Sequence, residues 1–182
     1  MRAETLRPMV TSAVMAAFGI TLPIVFHMVG LGSKFLPMLL PLLLNGFLST
    51  LPWAMLTGAL VPLASGLLTG MPPFYPPVAL VMSVEGATMA GTAAVVYRMS
   101  RPRIWPALTI ALIVDRTASL TLMWFIAGKF GFPPAAVSIA NLLQGLPGVA
   151  LQIVVVPLVV RALAARKGIL FRDDDESKTA VL

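Results

Sequence analysis

The sequence predicts an all-α integral membrane protein, a six-transmembrane-helix bundle with both termini cytoplasmic. Of the 182 residues, 58% are hydrophobic and 11% are charged, whereas a soluble domain carries roughly 25% charged residues. The uncharged stretches are long enough to cross a bilayer, which takes roughly 20 residues each. The basic residues fall in short clusters between those stretches, as membrane topology requires.

The first crossing runs from about Met9 to Val29. Arg2 and Arg7 precede it, so this start resembles a signal peptide. However, the apolar run is about a full crossing long and further crossings follow it. We therefore expect a retained first helix.

Crossings two, three and four lie between Lys34 and Arg98, where Glu85 is the only charged residue. Proline and glycine at two points divide this stretch, which predicts crossings at about 35–51, 54–70 and 77–97. The second and third are short and rich in Pro and Gly. Such irregular helices are tolerated where they line a cavity, which favours transport over simple anchoring.

Crossings five and six lie between Arg103 and Lys129 and between Lys129 and Arg161. Residues 1–170 then form one transmembrane domain. Residues 171–182 contain four consecutive acidic residues and are predicted to be a polar, disordered cytoplasmic tail.

The positive-inside rule tests this count independently. Lys34 and Lys129 fall on one side and Arg116 lies within a span, while all other basic residues fall on the side of the termini, which predicts that both ends are cytoplasmic. These clusters are topology signals, so no nucleic-acid partner is expected. The basic residues on the side of the termini are Arg2, Arg7, Arg98, Arg101, Arg103, Arg161, Arg166, Lys167, Arg172 and Lys178.

Three ionisable residues, Glu85, Asp115 and Arg116, lie inside predicted spans. Each costs about 2.5 to 3.5 kcal/mol on insertion scales at a helix centre, so each needs a partner, a cavity or a function. Asp115 and Arg116 either form ion pairs with other helices, or Arg116 faces a cavity and binds an anionic group. Neighbours on a helix do not face each other, so adjacency alone predicts no salt bridge. Glu85 is either a ligand-binding residue or a buried, hydrogen-bonded or protonated carboxyl.

Other polar residues fall in the predicted outer half of the bundle. His27 is the single histidine and the chain has no cysteine, so no metal site is expected. Tyr75 lies in a stiff, proline-rich loop that either covers a ligand or belongs to an interfacial aromatic belt. Asn141 and Gln144 share one helix face and either join helices or orient a ligand.

Two stretches carry a resemblance to a known family. Residues 35–47, which include Asn45, followed by residues 62–72 and Glu85, are similar to a pattern in vitamin-uptake S components. Ala13 and Ala17 in crossing one form an AxxxA arrangement that looks like the motif by which S components dock on their membrane partner. The chain therefore resembles the substrate-binding S component of an energy-coupling factor (ECF) transporter.

The resemblance implies high-affinity binding of a water-soluble vitamin or cofactor precursor from outside a prokaryotic cell. Delivery would occur by toppling within a complex of a transmembrane coupling subunit and two ATPases. As a transport subunit, the chain is expected to be no enzyme and to carry no cofactor. It has no phosphate-binding loop, so ATP hydrolysis is expected to come from its partners. Ala13 and Ala17 would dock on the coupling subunit. The substrate-binding residues would be His27, Lys34, Asn45, Tyr75, Glu85, Arg116, Asn141 and Gln144.

The charge of the ligand stays open. Arg116, Lys34 and His27 favour an anion, whereas Glu85 and Asp115 are suited to an amine or hydroxyl. Three other functions also stay open: an intramembrane enzyme, a structural scaffold of the cell-shape type, and a solitary transporter driven by an ion gradient. The enzyme is disfavoured because the common hydrolase and metalloprotease motifs are missing from the sequence.

Overall fold

The computed structural model describes residues 3–75, 77–100, 103–130 and 145–165, and all regular structure within these ranges is helical. The predicted tail at 171–182 and the start of the sixth crossing lie outside the described residues. The helices are α1 (Ala3–Met28), α2 (Gly32–Phe35), α3 (Leu39–Leu48), α4 (Leu51–Thr69), α5 (Val78–Met99), α6 (Ile104–Phe130) and α7 (Leu146–Ala165).

Five of these helices, α1, α4, α5, α6 and α7, are long and apolar enough to cross a membrane. Large apolar side chains such as Val25, Ile113 and Leu158 are exposed on their outer faces. Lipid tails solvate such faces, whereas water does not. The chain is therefore a multi-pass, all-helical membrane protein, and this part of the prediction is confirmed.

The second predicted crossing, at 35–51, is the element that differs most from its predicted form. Instead of one long helix, the structure has α2, a turn and the ten-residue α3, which is about 15 Å long. Pro37 disfavours helix at the preceding residue, and Leu36 adopts a left-handed conformation with φ 45°. Pro41 is accepted because the first four N–H groups of a helix have no partner within it.

α3 is the core of the bundle. Every residue of this helix except Leu40 is buried. Leu42, Leu43 and Phe47 belong to one apolar cluster with side chains of α5, α6 and α7, and the Phe47 ring meets the Tyr97 ring edge-on at 5.1 Å. A short helix enclosed by longer ones needs no lipid-facing surface.

Contacts at both ends fix the direction of α3 relative to its neighbours. Ser49, just after α3, donates a hydrogen bond to the Pro8 carbonyl of α1 at 3.1 Å, and Arg98 at the end of α5 donates to the Ser49 carbonyl. Met38, just before α3, shares a cavity with His27 at the other end of α1. We call these two ends of the bundle the Arg98 end and the His27 end. The segment from Met38 to Ser49 thus runs from the His27 end to the Arg98 end.

α4 and α5 cross with backbone against backbone at Gly58 and Gly86. A Cβ atom at Gly86 would lie 2.6 Å from the Gly58 carbonyl oxygen. Pro62 has no N–H with which to bond that carbonyl within α4, so the oxygen is available to the Cα–H groups of α5. Small residues are what allow membrane helices to approach this closely.

α7 starts at the His27 end. A Cβ atom at Gly148 would lie 2.5 Å from the Phe35 carbonyl oxygen of α2. Further along α7, Val160 belongs to the same apolar cluster as Leu108, which lies one turn into α6. α7 therefore runs from the His27 end toward the Arg98 end.

Candidate functional site

A cavity of about 320 Å³ opens at the His27 end. Its walls come from the last turns of α1, the turn between α2 and α3, the loop between α4 and α5, and the first turns of α5. The volume is at the lower end of the range for small-molecule pockets. The described lining residues are Pro23, His27, Gly32, Leu36, Pro37, Met38, Met71, Pro72, Pro73, Val78 and Met82.

Prolines and methionines dominate this lining. The rings of Pro23, Pro37, Pro72 and Pro73 fix the backbone around the cavity, because each ring locks its own φ angle. Met38, Met71 and Met82 contribute flexible, polarisable thioethers that adapt to the shape of a bound molecule. The walls are thus stiff in backbone and adaptable in side chain.

His27 supplies the hydrogen-bonding side chain of the described lining. Its Nδ1 lies 2.7 Å from the Pro23 carbonyl oxygen, and since a carbonyl only accepts, Nδ1 carries the proton. In the neutral ring, Nε2 is then a hydrogen-bond acceptor. Gly32 makes room for the ring, because a Cβ atom there would collide with it.

The loop between α4 and α5 is tied to the end of α4. Ser65 Oγ donates to the Met71 carbonyl at 2.6 Å, and the Met71 N–H donates to Thr69 Oγ1 at 3.2 Å. These bonds hold Met71 in the cavity wall. Pro23, His27 and Met71 also border a second groove of about 400 Å³ on the side of α1, so these three residues line both spaces.

Two of the predicted site residues lie near this end without a described side chain in the cavity. Tyr75 belongs to the loop between α4 and α5, but its side chain is 79% exposed. Lys34 is the third residue of α2, and its side chain is not among the described ones. Asn141 and Gln144 lie outside the described residues altogether.

Glu85 and Arg116 are part of a separate polar cluster between α5 and α6. Glu85 on α5 lies near Asp115, Arg116 and Ser119 of α6. Glu85 follows the cavity residue Met82 by about one helical turn, which places it deeper in the bundle than the cavity. The two predicted site residues Glu85 and Arg116 thus meet each other rather than the cavity lining.

Asp115 and Arg116 pair with each other. Arg116 Nη2 lies 2.6 Å from Asp115 Oδ2, and Nε of the same arginine lies 3.0 Å from that oxygen. The sequence analysis considered ion pairs with other helices, and the observed pair lies within α6 instead. Neighbouring residues on a helix leave the backbone in different directions, but the arginine side chain is long enough to bend back along the helix to Asp115.

Asn45 lies at the Arg98 end, away from the cavity. Ser12 Oγ is 3.1 Å from Asn45 Oδ1 and 2.8 Å from Ser49 Oγ, and Ser49 Oγ donates to the Pro8 carbonyl. These three contacts need three hydrogens, but the two hydroxyl groups supply only two. If the amide is turned so that Nδ2 donates to Ser12, the third hydrogen is supplied, and Nδ2 gains the partner it otherwise lacks among the described residues. Asn45 therefore joins α1 to α3.

Ala13 and Ala17 lie on the outer surface of α1. Both are exposed and, being four residues apart, they share one face. Large exposed residues flank them, including Val10, Val14 and Phe18. This face of α1 packs on no other described element.

Of the cavity residues, His27 and the proline-rich loop after α4 were considered for ligand binding from the sequence, whereas Met38 and Met82 were assigned no role of their own. Met38, Met71 and Met82 sit inside apolar stretches, where methionine is ordinary, and no spacing rule unites them. The prolines were recognised as helix punctuation, and the cavity that they surround appears only when four separate segments meet.

No protein-family model, curated protein or solved structure matches this chain. The fold itself defines the class, a multi-pass helical membrane protein with a small cavity at one end of its bundle.

Proposed function

We propose that the protein is the S component of an ECF-type importer in the cell membrane of a prokaryote. It binds a water-soluble vitamin or cofactor precursor in the cavity at the His27 end and carries it across the membrane. The observation that carries this proposal is a small, stiff-walled cavity at the end of the bundle opposite most of the described arginines.

The distribution of basic residues supports the orientation. Four arginines belong to segments that start or finish at the Arg98 end: Arg7, Arg98, Arg103 and Arg161. Lys129 lies near the last residue of α6, at the opposite end of the bundle. The positive-inside rule then assigns the Arg98 end to the cytoplasm. The cavity faces outward, as uptake requires.

The helix directions support six crossings with both termini cytoplasmic. α1, α4 and α6 run toward the His27 end, and α3, α5 and α7 run back. α3 is too short for a crossing by itself, but with the preceding turn it connects the two ends inside the protein, where lipid does not reach it.

A labelling experiment tests this topology. The chain contains no cysteine, so a single introduced thiol has no background. Tyr75→Cys is expected to react with a membrane-impermeant maleimide in right-side-out vesicles. Met99→Cys, at an exposed position near the Arg98 end, is expected to react only after permeabilisation. Labelling of both before permeabilisation would contradict the proposed topology.

The exposed Ala13 and Ala17 face supports docking on a transmembrane coupling subunit, since small residues permit close helix contact in membranes. The coupling subunit would join this chain to two ATPases, because the sequence has no phosphate-binding loop of its own.

Affinity purification from the native membrane tests this assembly. We expect ATPase subunits to co-purify with the wild-type protein and to be lost from the double variant Ala13→Leu, Ala17→Leu. Val25→Leu, at a lipid-exposed position on the same helix, is the matched control and should retain them. Recovery of cytoskeletal proteins without ATPases would favour a scaffold, and uptake in cells without coupling ATPases would favour a solitary transporter.

A further inference from the structure

We propose that the ligand of the cavity is an uncharged, ring-bearing molecule that donates one hydrogen bond to Nε2 of His27. This inference rests on the proposed function in one respect: it takes the cavity at the His27 end to be the binding site. It goes further by assigning the chemical class of the ligand, which the sequence left open between an anion and a molecule with an amine or hydroxyl.

The described lining of the cavity is largely apolar. No charged side chain is among the described residues around the cavity, which are prolines, methionines, other apolar residues, Gly32 and His27. A charge that enters an apolar enclosure loses its hydration and gains no partner in return. The described lining therefore offers an ion no partner of opposite charge.

The buried charged residues lie deeper in the bundle than the cavity. Arg116 is paired with Asp115, and Glu85 lies near this pair. The charged groups of the α5–α6 cluster are engaged with each other below the cavity. A ligand at the level of Met82 does not need to reach them.

The hydrogen bond between His27 and a ligand has a defined direction. Because Nδ1 of His27 donates to the Pro23 carbonyl, the neutral ring offers an acceptor at Nε2 and no second donor. The ligand must therefore contribute an N–H or O–H group. A ligand with a carboxylate in that position would place two acceptors against each other.

The side chains that line the cavity favour a ring-shaped ligand. Met38, Met71 and Met82 contribute three thioethers to one cavity of about 320 Å³, and sulfur makes favourable contacts with aromatic rings. The four proline rings add flat apolar walls. A compact heteroaromatic ring carrying an N–H or O–H meets all of these features.

The test compares ligands that differ in charge. Nicotinamide, pyridoxine and riboflavin are the uncharged probes, nicotinate, biotin and pantothenate are the anions, and thiamine is the cation. Thermal stabilisation of the purified protein in detergent is measured with each, and the dissociation constant of the best is determined. We expect an uncharged probe to bind best, and nicotinamide to stabilise the protein more than nicotinate does.

The variants separate the hydrogen bond from general packing. His27→Phe keeps a ring without an acceptor and is expected to weaken binding of the best uncharged probe about tenfold, the size of one lost hydrogen bond. His27→Gln, which offers an amide oxygen, should recover part of that loss. Val25→Ala, exposed on α1, should leave binding unchanged.

The outcomes separate this inference from the proposed function. Preferential binding of an anion or of thiamine, or binding indifferent to His27→Phe, would overturn the ligand class while leaving an ATPase-coupled importer intact. Binding of an uncharged probe with uptake that needs no ATPase would uphold the ligand class and overturn the importer. A protein that responds to no probe and releases no compound on denaturation would overturn both.

Discussion

Asp115 and Arg116 are consecutive residues of α6 and form an ion pair with each other, with Nη2 and Oδ2 2.6 Å apart. The Asp115 side chain is fully buried, whereas that of Arg116 is 22% exposed. The second carboxylate oxygen of Asp115 has no hydrogen-bond partner among the described residues. One arginine thus faces two carboxyl groups, those of Asp115 and Glu85.

Removal of the arginine is expected to be costly. Arg116→Gln leaves the buried Asp115 unpaired, and breaking a buried pair costs roughly 3 to 5 kcal/mol. The partial exposure of Arg116 places the expected loss at about 3 kcal/mol, measured by denaturant unfolding in detergent. The double variant Asp115→Asn, Arg116→Gln should recover most of the loss. If the double variant is as unstable as the sum of the single ones, the pair contributes nothing by coupling.

Glu85 is expected to be a neutral carboxylic acid. Two buried carboxylates beside a single arginine would leave one uncompensated negative charge in a low-dielectric environment. Glu85→Gln, which imitates the protonated form, should change stability by less than about 1 kcal/mol, whereas Glu85→Ala also removes the contact with Ser119 and should destabilise by about 2 kcal/mol. Infrared spectroscopy should show a protonated carboxyl band that Glu85→Gln abolishes. Equal destabilisation by both variants would show that Glu85 is ionised.

The crossing of α4 over α5 predicts a strong effect at one glycine. Gly58→Ala inserts a methyl group against the α5 backbone at Gly86, and overpacking of this kind costs about 1 to 3 kcal/mol. Gly128→Ala is the matched control, since no atom of the described neighbouring residues lies within 4 Å of the added group, and alanine favours helix over glycine by up to about 1 kcal/mol. Midpoints of unfolding in the same detergent should fall for the first variant and stay level or rise for the second.

Gly32 predicts a double-mutant cycle at the cavity. An added methyl group at Gly32 collides with the His27 ring and should displace Nε2, so Gly32→Ala is expected to weaken ligand binding about as much as His27→Phe, or about tenfold. Because both changes act on the same hydrogen bond, the combined variant should bind no more weakly than either single one. Additive losses in isothermal titration would show that Gly32 acts through something other than His27.

Much of the fold follows from hydropathy and charge. The first helix was predicted from about Met9 to Val29 and observed to end at Met28, and the third and fourth predicted crossings match α4 and α5 to within a few residues. The second crossing was predicted too long, because Pro37 disfavours helix at its start and because a helix buried in the protein does not need the length of a lipid-exposed crossing. A single sequence records apolar character, but not whether lipid or protein surrounds it.

The site was less accessible to sequence reasoning. Charged residues in spans attract attention, yet Glu85, Asp115 and Arg116 meet one another, and Asn45 bonds Ser12 at the opposite end of the bundle from His27. The cavity consists mainly of proline and methionine side chains, whose role depends on four segments that are distant in sequence. His27 was recognisable in the sequence because it is the single histidine. The role of its Nδ1 as a hydrogen-bond donor can be seen only in the structure.

The central claim is that the cavity at the His27 end binds a small molecule. The most direct measurement is mass spectrometry of compounds released on denaturation from protein purified out of cells grown in rich medium, with His27→Phe and Val25→Ala purified in parallel. We expect an uncharged ring compound in near-stoichiometric amount from the wild type and Val25→Ala, and a clearly smaller amount from His27→Phe. A protein that releases no compound, or equal release from all three, would contradict it.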